Sequence, residues 1–243
     1  MLHSLFDSTR SLTSPFAVAK EEVKRVAIVA FSSNSSLCGA FNTNVWKKLN
    51  ALIQASYPHL AHRDILIFPV GRRIQDAVLR GGYPVMGDFR KLVEKPTYRD
   101  AVKLAHQLME LFSTHQVDCV QFVYNHFKNM GVQISTTEVY LPFSLPEHLS
   151  LPKDLKWEVS PEYILEPSRD EIVDTLLPKV LELKVFTTLL DSVTAEHAAR
   201  TVAMQLATEN AEAMIDELTL LYNKSRQQAI TNELLDIVGG IAR

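Results

Sequence analysis

The chain has 243 residues, of which 47% are hydrophobic and 22% charged, a composition typical of a soluble protein with a packed core. Its net charge of −3 and pI near 6.2 give no reason to expect nucleic acid or an acidic membrane surface as the main partner. No apolar run reaches the roughly eighteen residues that span a bilayer, and no signal-peptide pattern opens the chain. Cys38 and Cys119 are isolated, so we expect reduced thiols and a cytosolic protein.

Up to residue 141 the sequence predicts a helical remnant followed by an α/β domain. In residues 1–24, Leu2, Leu5 and Phe6 have the spacing of the last turn of a helix that begins upstream, before a linker. Residues 25–141 then alternate apolar runs, typical of buried strands, with helical patterns. This alternation predicts a small Rossmann-like sheet of parallel strands with helices on its faces. The predicted strands are 25–31, 64–70, 117–124 and 132–141, and the predicted helices lie near 43–55, 73–79 and 98–114.

A proline-rich connector and one very long helix are predicted to follow. The connector, residues 142–167, holds five prolines, too many for regular structure. Ser168 and Glu171 then form a capping box, which satisfies free backbone N–H groups at a helix start. A helix over residues 168–241 would be roughly 110 Å long, more than an ordinary domain core can bury. We therefore expect it to project from its own domain, within a last segment of residues 168–243.

Three signals bear on whether this helix is continuous and where it ends. Pro178 has no backbone N–H and predicts a kink near Thr175. A second start signal at Thr194 leaves a division into two helices open. Gly239 and Gly240 predict the end of the helix, because glycine readily adopts the left-handed conformation found there.

The apolar spacing of the long helix indicates contacts outside the α/β domain. A first set of residues follows the 4, 3, 4, 3 spacing of a coiled-coil seam. The seam breaks at a polar block, residues 223–228, and resumes in a shifted phase, so the buried face or the partner changes there. The first set is Ala207, Ala211, Met214, Leu218 and Leu221, and the second is Ile230, Leu234, Ile237 and Ile241.

The residues predict no catalytic, cofactor or metal site. The turn at residues 32–42 is rich in serine but holds a single glycine, Gly39, whereas phosphate-binding turns need two or three glycines. Cys38 is expected to be a small buried apolar group, because no local signature supplies a histidine to activate it. His59 and His62 are expected to be solvated turn residues rather than metal ligands.

Several stretches resemble one known family. Residues 194–204 (TAEHAARTVAM) and 218–234 (LTLLYNKSRQQAITNEL), followed by IVGG, strongly resemble the carboxy-terminal helix of the F-type ATP synthase gamma subunit family. Residues 36–45 (SLCGAFNTNV) resemble that family's loop after the first strand, and residues 163–167 (YILEP) resemble its connector into the long helix. The resemblance extends from about residue 24 to the end of the chain.

The resemblance implies a central rotor shaft rather than a catalyst. In this family the long helix is half of an antiparallel coiled coil inside the ring of three alpha and three beta subunits. The α/β domain lies below, against the epsilon subunit and the membrane c-ring. Rotation of the shaft couples proton flow to ATP synthesis at the beta subunits. The implied location is the cytoplasmic face of the bacterial inner membrane, where the protein is peripheral, with no direct membrane insertion, no cofactor and no nucleic acid.

The resemblance also assigns contacts with the stator, the surrounding alpha and beta subunits, to residues that match the family's motifs. Arg226 and Gln227 resemble the pair that hydrogen-bonds a loop of one beta subunit. Arg200, Thr231 and Glu233 resemble coupling positions on the same helix. The resemblance makes none of them catalytic.

The connector and the end of the helix complete the implied contact set. Tyr163 and Glu166 match the connector residues that contact the c-ring. The tip of the shaft is expected to turn in an apolar collar, because apolar contact is non-directional. The tip residues are Ile230, Leu234, Ile237, Val238 and Ile241.

Two features depart from the family pattern. The family turn carries an Asp-Arg-Gly-type stretch before Leu-Cys-Gly, whereas residues 33–36 read SNSS, so a charge contact there is not implied. The family's amino-terminal helix is also absent, and a lone helix lacks the packing that would let the chain as given transmit torque. The alternative function is a free-standing α/β nucleotide-binding enzyme with a helical oligomerisation arm, which a tight nucleotide complex would favour.

Overall fold

The structure, a computed structural model, describes residue 16, residues 23–143 and residues 169–241. The expected helical remnant lies almost wholly outside the described residues, as does most of the proline-rich connector. Within the described ranges the elements follow in this order: β1 (Val26–Phe31), α1 (Phe41–Ser56), a 3₁₀ turn (His62–Asp64), β2 (Ile65–Val70), α2 (Arg72–Arg80), α3 (Arg90–Glu94), α4 (Tyr98–Ser113), β3 (Cys119–Asn129), β4 (Val132–Leu141) and α5 (Arg169–Ile241).

The four strands form one mixed sheet in the order β2-β1-β3-β4. β1 is parallel to both β2 and β3, as predicted, but β4 is antiparallel to β3, so the prediction of an all-parallel sheet is wrong for the last strand. Only Met130 and Gly131 separate β3 from β4. Two residues can close an antiparallel hairpin, whereas a parallel pair needs a crossover of a dozen residues or more.

β1 is buried along its whole length because helices cover both faces of the sheet. Successive strand side chains point to opposite faces. Val26, Ile28 and Ala30 therefore pack against α1 and α2. Ala27, Val29 and Phe31 belong to a second apolar cluster, which α3, α4 and the start of α5 complete.

The proximal segment of α5, residues 169–203, is a core helix of this domain. Its buried residues recur every fourth position, which places them on one helix face. This face packs against α4 and β3, so the expectation that the helix only projects from its domain is wrong for its first half. The residues spaced by four are Leu177, Leu181, Val185 and Leu189.

α5 is a single helix, as predicted, and the two-helix alternative is wrong. The Thr194 hydroxyl donates to the carbonyl of Leu190, a bond made within a helix rather than at a helix start. The prediction that Gly239 and Gly240 end the helix is also wrong, because it runs through both to Ile241. Pro178 lies inside the helix without ending it, and the kink near Thr175 stays a prediction. Ser168 of the capping box lies outside the described residues.

Candidate functional site

The distal segment of α5, residues 204–241, extends away from the α/β domain. Among its described side chains only Asn223 is half-buried and the rest are exposed. The five seam residues, Ala207 to Leu221, are all exposed. At 100° per residue, Leu220 lies about 160° around the helix from Leu218 and about 100° from Leu221, and it is 73% exposed. Apolar side chains thus point to more than one side of the helix.

Four of the five predicted stator positions lie together on the distal segment. Arg226, Gln227, Thr231 and Glu233 are exposed within two helical turns. The Thr231 hydroxyl donates to the backbone carbonyl of Gln227, a bond made within the helix. The structure does not bring Arg200 to this group, because it lies about 39 Å away along the helix axis.

The predicted shaft tip is apolar and exposed where its side chains are described. Ile230, Leu234 and Ile237 are each about half exposed or more. The backbones of Val238 and Ile241 continue the helix, but their side chains lie outside the described part of the chain. Tyr163 and Glu166 lie outside it altogether, so their contact with the c-ring stays a prediction.

Arg200 joins α5 to the serine-rich turn after β1. Its Nη2 donates to the hydroxyl of Ser35 at 2.7 Å, and its Nη1 lies 2.8 Å from a carboxylate oxygen of Glu196. Sequence reasoning missed both partners of Arg200. The four-residue spacing of Glu196 and Arg200 on a helix is a recognisable ion-pair signal, whereas nothing near Ser35 in the sequence points to its contact with Arg200.

Three further side chains on the proximal segment join it to the domain, and sequence reasoning missed them. Glu182 accepts hydrogen bonds from Tyr98 at 2.8 Å and from the ring of His106 at 2.7 Å. Burial alone would raise the pKa of Glu182, but these two hydrogen bonds outweigh it and the pKa lies below its ordinary value. Lys184 forms an ion pair with Glu138 at 2.6 Å, and Asp191 binds the end of β3.

The serine-rich turn uses its polar groups within the domain. In doubly wound folds, phosphate is bound by free N–H groups at a helix N-terminus after a parallel strand. At the N-terminus of α2 the first three such groups already have acceptors, which opposes phosphate binding there. Arg72 N–H donates to Asn34 Oδ1, Arg73 N–H to the carbonyl of Ser33, and Ile74 N–H to the hydroxyl of Ser32.

The structure shows what surrounds Cys38, His59 and His62, which were considered above as possible reactive groups or metal ligands. Cys38 is buried beside Phe41 and Ala195, as expected for a small apolar side chain. His59 and His62 are exposed, as expected, and the ring of His62 stacks on Tyr83 at a centroid distance of 4.3 Å. Among the described residues no three histidine, cysteine or carboxylate side chains gather as a metal site would require.

None of the helices in the described ranges combines the length and apolar character that crossing a membrane requires.

Comparisons with solved structures match the fold at low identity. The Euglena gracilis mitochondrial ATP synthase, in a structure of OSCP, F1 and c-ring, contains a chain with a TM-score of 0.61 at 20% identity, covering 94% of this chain and 78% of that chain. The Tetrahymena thermophila mitochondrial ATP synthase central stalk and c-ring structure gives a TM-score of 0.57 at 20% identity, covering 85% of each chain. These matches support the same architecture of a mixed sheet with a long carboxy-terminal helix.

Comparisons with protein sequences are closer. A family profile described as ATP synthase matches residues 1–242. The ATP synthase gamma chain of Phocaeicola vulgatus is 48% identical over 240 residues, covering 99% of this chain and 81% of that relative. The gamma chain of Bacteroides fragilis, strain ATCC 25285, is 50% identical over the same length and coverage. The chain therefore belongs to the ATP synthase gamma chain family.

Proposed function

We propose that this chain is the rotor shaft that couples proton flow to ATP synthesis by turning inside a ring of three alpha and three beta subunits. The observation that carries the proposal is the distal segment of α5. It is about 57 Å long at the standard rise per residue, and its apolar side chains face several directions. A helix packed against one neighbour needs a single apolar face, whereas a helix surrounded by a ring of subunits can bury apolar side chains on every face.

The polar block between the two apolar sets is the proposed contact with one beta subunit. Arg226 and Gln227 present a guanidinium and an amide, both exposed, to a loop of that subunit. Hydrogen bonds of this kind are directional, so they can be made at one rotary position and broken at the next. Thr231 and Glu233 extend the same contact by one turn of the helix.

The apolar tip is proposed to turn within a collar of alpha and beta side chains. Ile230, Leu234 and Ile237 offer no hydrogen-bonding groups that rotation would have to break. The proposal places Val238 and Ile241 in the same collar. At the other end of the molecule, Tyr163 and Glu166 are proposed to contact the c-ring, next to the epsilon subunit.

We also propose that the chain has no catalytic site of its own and acts as a non-catalytic subunit of the proton-transporting complex. The acceptors that the serine-rich turn provides to the first N–H groups of α2 and the burial of Cys38 support this proposal. The proposed location is peripheral, on the cytoplasmic face of the bacterial inner membrane, where the c-ring holds the domain.

Reconstitution tests the proposal. The chain, joined to the amino-terminal helix that the family pairs with its long helix and combined with alpha, beta and epsilon subunits and the membrane sector in vesicles, is expected to copurify with them and to support ATP-driven proton pumping. Arg226→Lys keeps the charge but loses the planar fork that a bidentate contact needs. We expect it to lower pumping several-fold at unchanged subunit content.

Glu212→Gln is the matched control, because Glu212 is exposed on the same segment outside the polar block. It is expected to pump as the unmodified chain does. Failure of the unmodified chain to copurify with alpha and beta subunits would contradict the rotor function. Equal pumping by the Arg226→Lys and Glu212→Gln enzymes would contradict only the assigned role of Arg226.

A further inference from the structure

Arg200 makes the last hydrogen bond between α5 and the α/β domain within the described residues. Beyond it, the side-chain hydrogen bonds of α5 stay within the helix, as in Thr208 to the carbonyl of Met204. Val202 and Ala203 are half-buried, and from Met204 onward the helix leaves the domain. Arg200 and its partners therefore lie where the helix leaves the described part of the domain.

One side of Arg200 is fixed by a buried carboxylate. Glu196 is only 6% exposed, and a buried carboxylate is stable only when a cation or several hydrogen-bond donors face it. The Arg200 guanidinium, 2.8 Å away, supplies that partner. Beneath this pair, Ala195 packs against Cys38 and Phe41, so this part of the helix is held by apolar contact as well.

The other side of Arg200 is held by a turn that is closed by its own hydrogen bonds. The Ser33 hydroxyl donates to the carbonyl of Ser35, which closes the turn on itself. Asn42 at the start of α1 donates to the Ser33 hydroxyl at 2.8 Å and to the sulfur of Cys38 at 3.1 Å. The Ser35 hydroxyl is thus presented to Arg200 from a turn that is itself bonded to α1.

A small change in angle at this point becomes a large movement at the tip. The distal segment is about 57 Å long, so a tilt of about 5° at Arg200 would displace its end by about 5 Å, the length of one helical turn. That displacement is enough to take a hydrogen-bonding side chain out of reach of its partner.

We propose that Ser35 and Glu196 are positioning residues that hold Arg200 and so set the direction in which the distal segment leaves the domain. The inference rests on the rotor function proposed above. It gives Arg200 a role inside the rotor, because each of its terminal nitrogens contacts a residue of this chain, Ser35 or Glu196. The serine turn thereby supplies the acceptor for the arginine of the long helix.

The test compares two neighbouring serines in the full complex. Ser35→Ala removes the acceptor for Arg200, whereas Ser36→Ala removes a hydroxyl from the adjacent exposed residue. For Ser35→Ala we expect the ratio of proton pumping to ATP hydrolysis to fall about two- to fivefold, because this hydrogen bond is exposed to solvent and therefore contributes at the low end of the range for such bonds. Ser36→Ala is expected to keep the ratio, and Ser35→Thr, which retains a hydroxyl, is expected to restore it.

A double substitution shows whether Ser35 acts through Arg200. If it does, Ser35→Ala added to Arg200→Ala lowers the ratio no further than Arg200→Ala alone. Additive losses, or equal ratios for Ser35→Ala and Ser36→Ala, would overturn the inference. Either result is distinguishable from failure of the rotor function, which would show as loss of copurification and pumping in the unmodified chain.

Discussion

The carboxylate of Asp191 on α5 lies 2.6 Å from Nδ1 of His126 on β3. Its other oxygen accepts the backbone N–H of Phe127 at 2.9 Å. One side chain thus satisfies two donors at the place where β3 runs beyond β1 towards the hairpin turn. The long helix is fastened there to a part of β3 that pairs with β4 but no longer with β1.

Removing this carboxylate should loosen the proximal segment. We expect Asp191→Ala to lower the free energy of unfolding by about 1–3 kcal/mol, because it leaves the Phe127 N–H without its acceptor. Asp191→Asn keeps an oxygen that can accept this bond and should cost less. Urea denaturation measures both, and equal losses for the two variants would show that the Phe127 bond contributes little.

Two leucines two positions apart on α5 test which face belongs to the core. Leu181 is 1% exposed and Leu183 is 51% exposed. Leu181→Ala is expected to cost about 2–5 kcal/mol through lost burial and the cavity left behind. Leu183→Ala makes the same chemical change on the exposed side and should stay within about 0.5 kcal/mol. Thermal unfolding of both variants checks the difference, and similar losses would contradict the packing of the proximal segment.

Gly71 occupies a position that no other residue fits. Its φ is 111°, and a Cβ there would lie 2.3 Å from the carbonyl oxygen of Ser32. Gly71→Ala should cost more than about 3 kcal/mol, because it combines backbone strain with a backbone clash. Gly82 also has a positive φ, of 74°, but no atom lies within 4 Å of its added Cβ. Gly82→Ala should therefore cost only about 1 kcal/mol. Soluble yield and melting temperature compare the pair.

Glu182 predicts an acid-dependent weakening of the contact between α4 and α5. Because its pKa in the folded chain is depressed, its contribution to stability is present above the unfolded-state pKa, about 4.3. The contribution is lost as the pH falls through the lower folded-state value. We expect the free energy of unfolding to drop less between about pH 5 and pH 3 in Glu182→Gln than in the unmodified chain. Glu212→Gln controls for the loss of one negative charge, and parallel curves for all three chains would contradict the prediction.

Tyr140 carries a buried hydroxyl without a hydrogen-bond partner in the part of the chain that the structure describes. The side chain is 2% exposed and stacks on Phe122, and its hydroxyl has no hydrogen-bond partner among the described residues. Burial raises the pKa of this phenol, and the nearby Glu182 adds to the effect. Tyr140→Phe should raise the free energy of unfolding by up to about 1 kcal/mol. Tyr124→Phe, which removes a hydroxyl that donates to Glu138, should lower it instead.

The elements that the sequence predicts well are those with many periodic residues. The runs that become β1, β2 and β4 are apolar or alternating over their full length, and the long helix repeats its pattern over many turns. α3, Arg90–Glu94, was not predicted, because five residues give too little periodicity to distinguish a helix from a turn. The direction of β4 was also missed, since apolar alternation defines a strand but not the orientation of its partner.

The candidate functional residues also divide into those that the local sequence can place and those that it cannot. Arg226 and Gln227 could be placed on an exposed helix from their neighbours in the sequence, and the structure places them there. The hydrogen bond from Arg200 to Ser35 joins residues 165 positions apart. No local pattern signals such a bond, because it exists only once the fold has brought the turn after β1 against the long helix.

The exposed distal segment also bears on the life of the chain before it is assembled. Leu218, Leu220 and Leu221 are more than half exposed. Surfaces of this kind attract chaperones, proteases and other unassembled chains. A cell that makes this chain in excess of the proteins that cover the helix should therefore degrade the surplus rather than store it. Matched synthesis of the subunits is then a requirement of the fold itself.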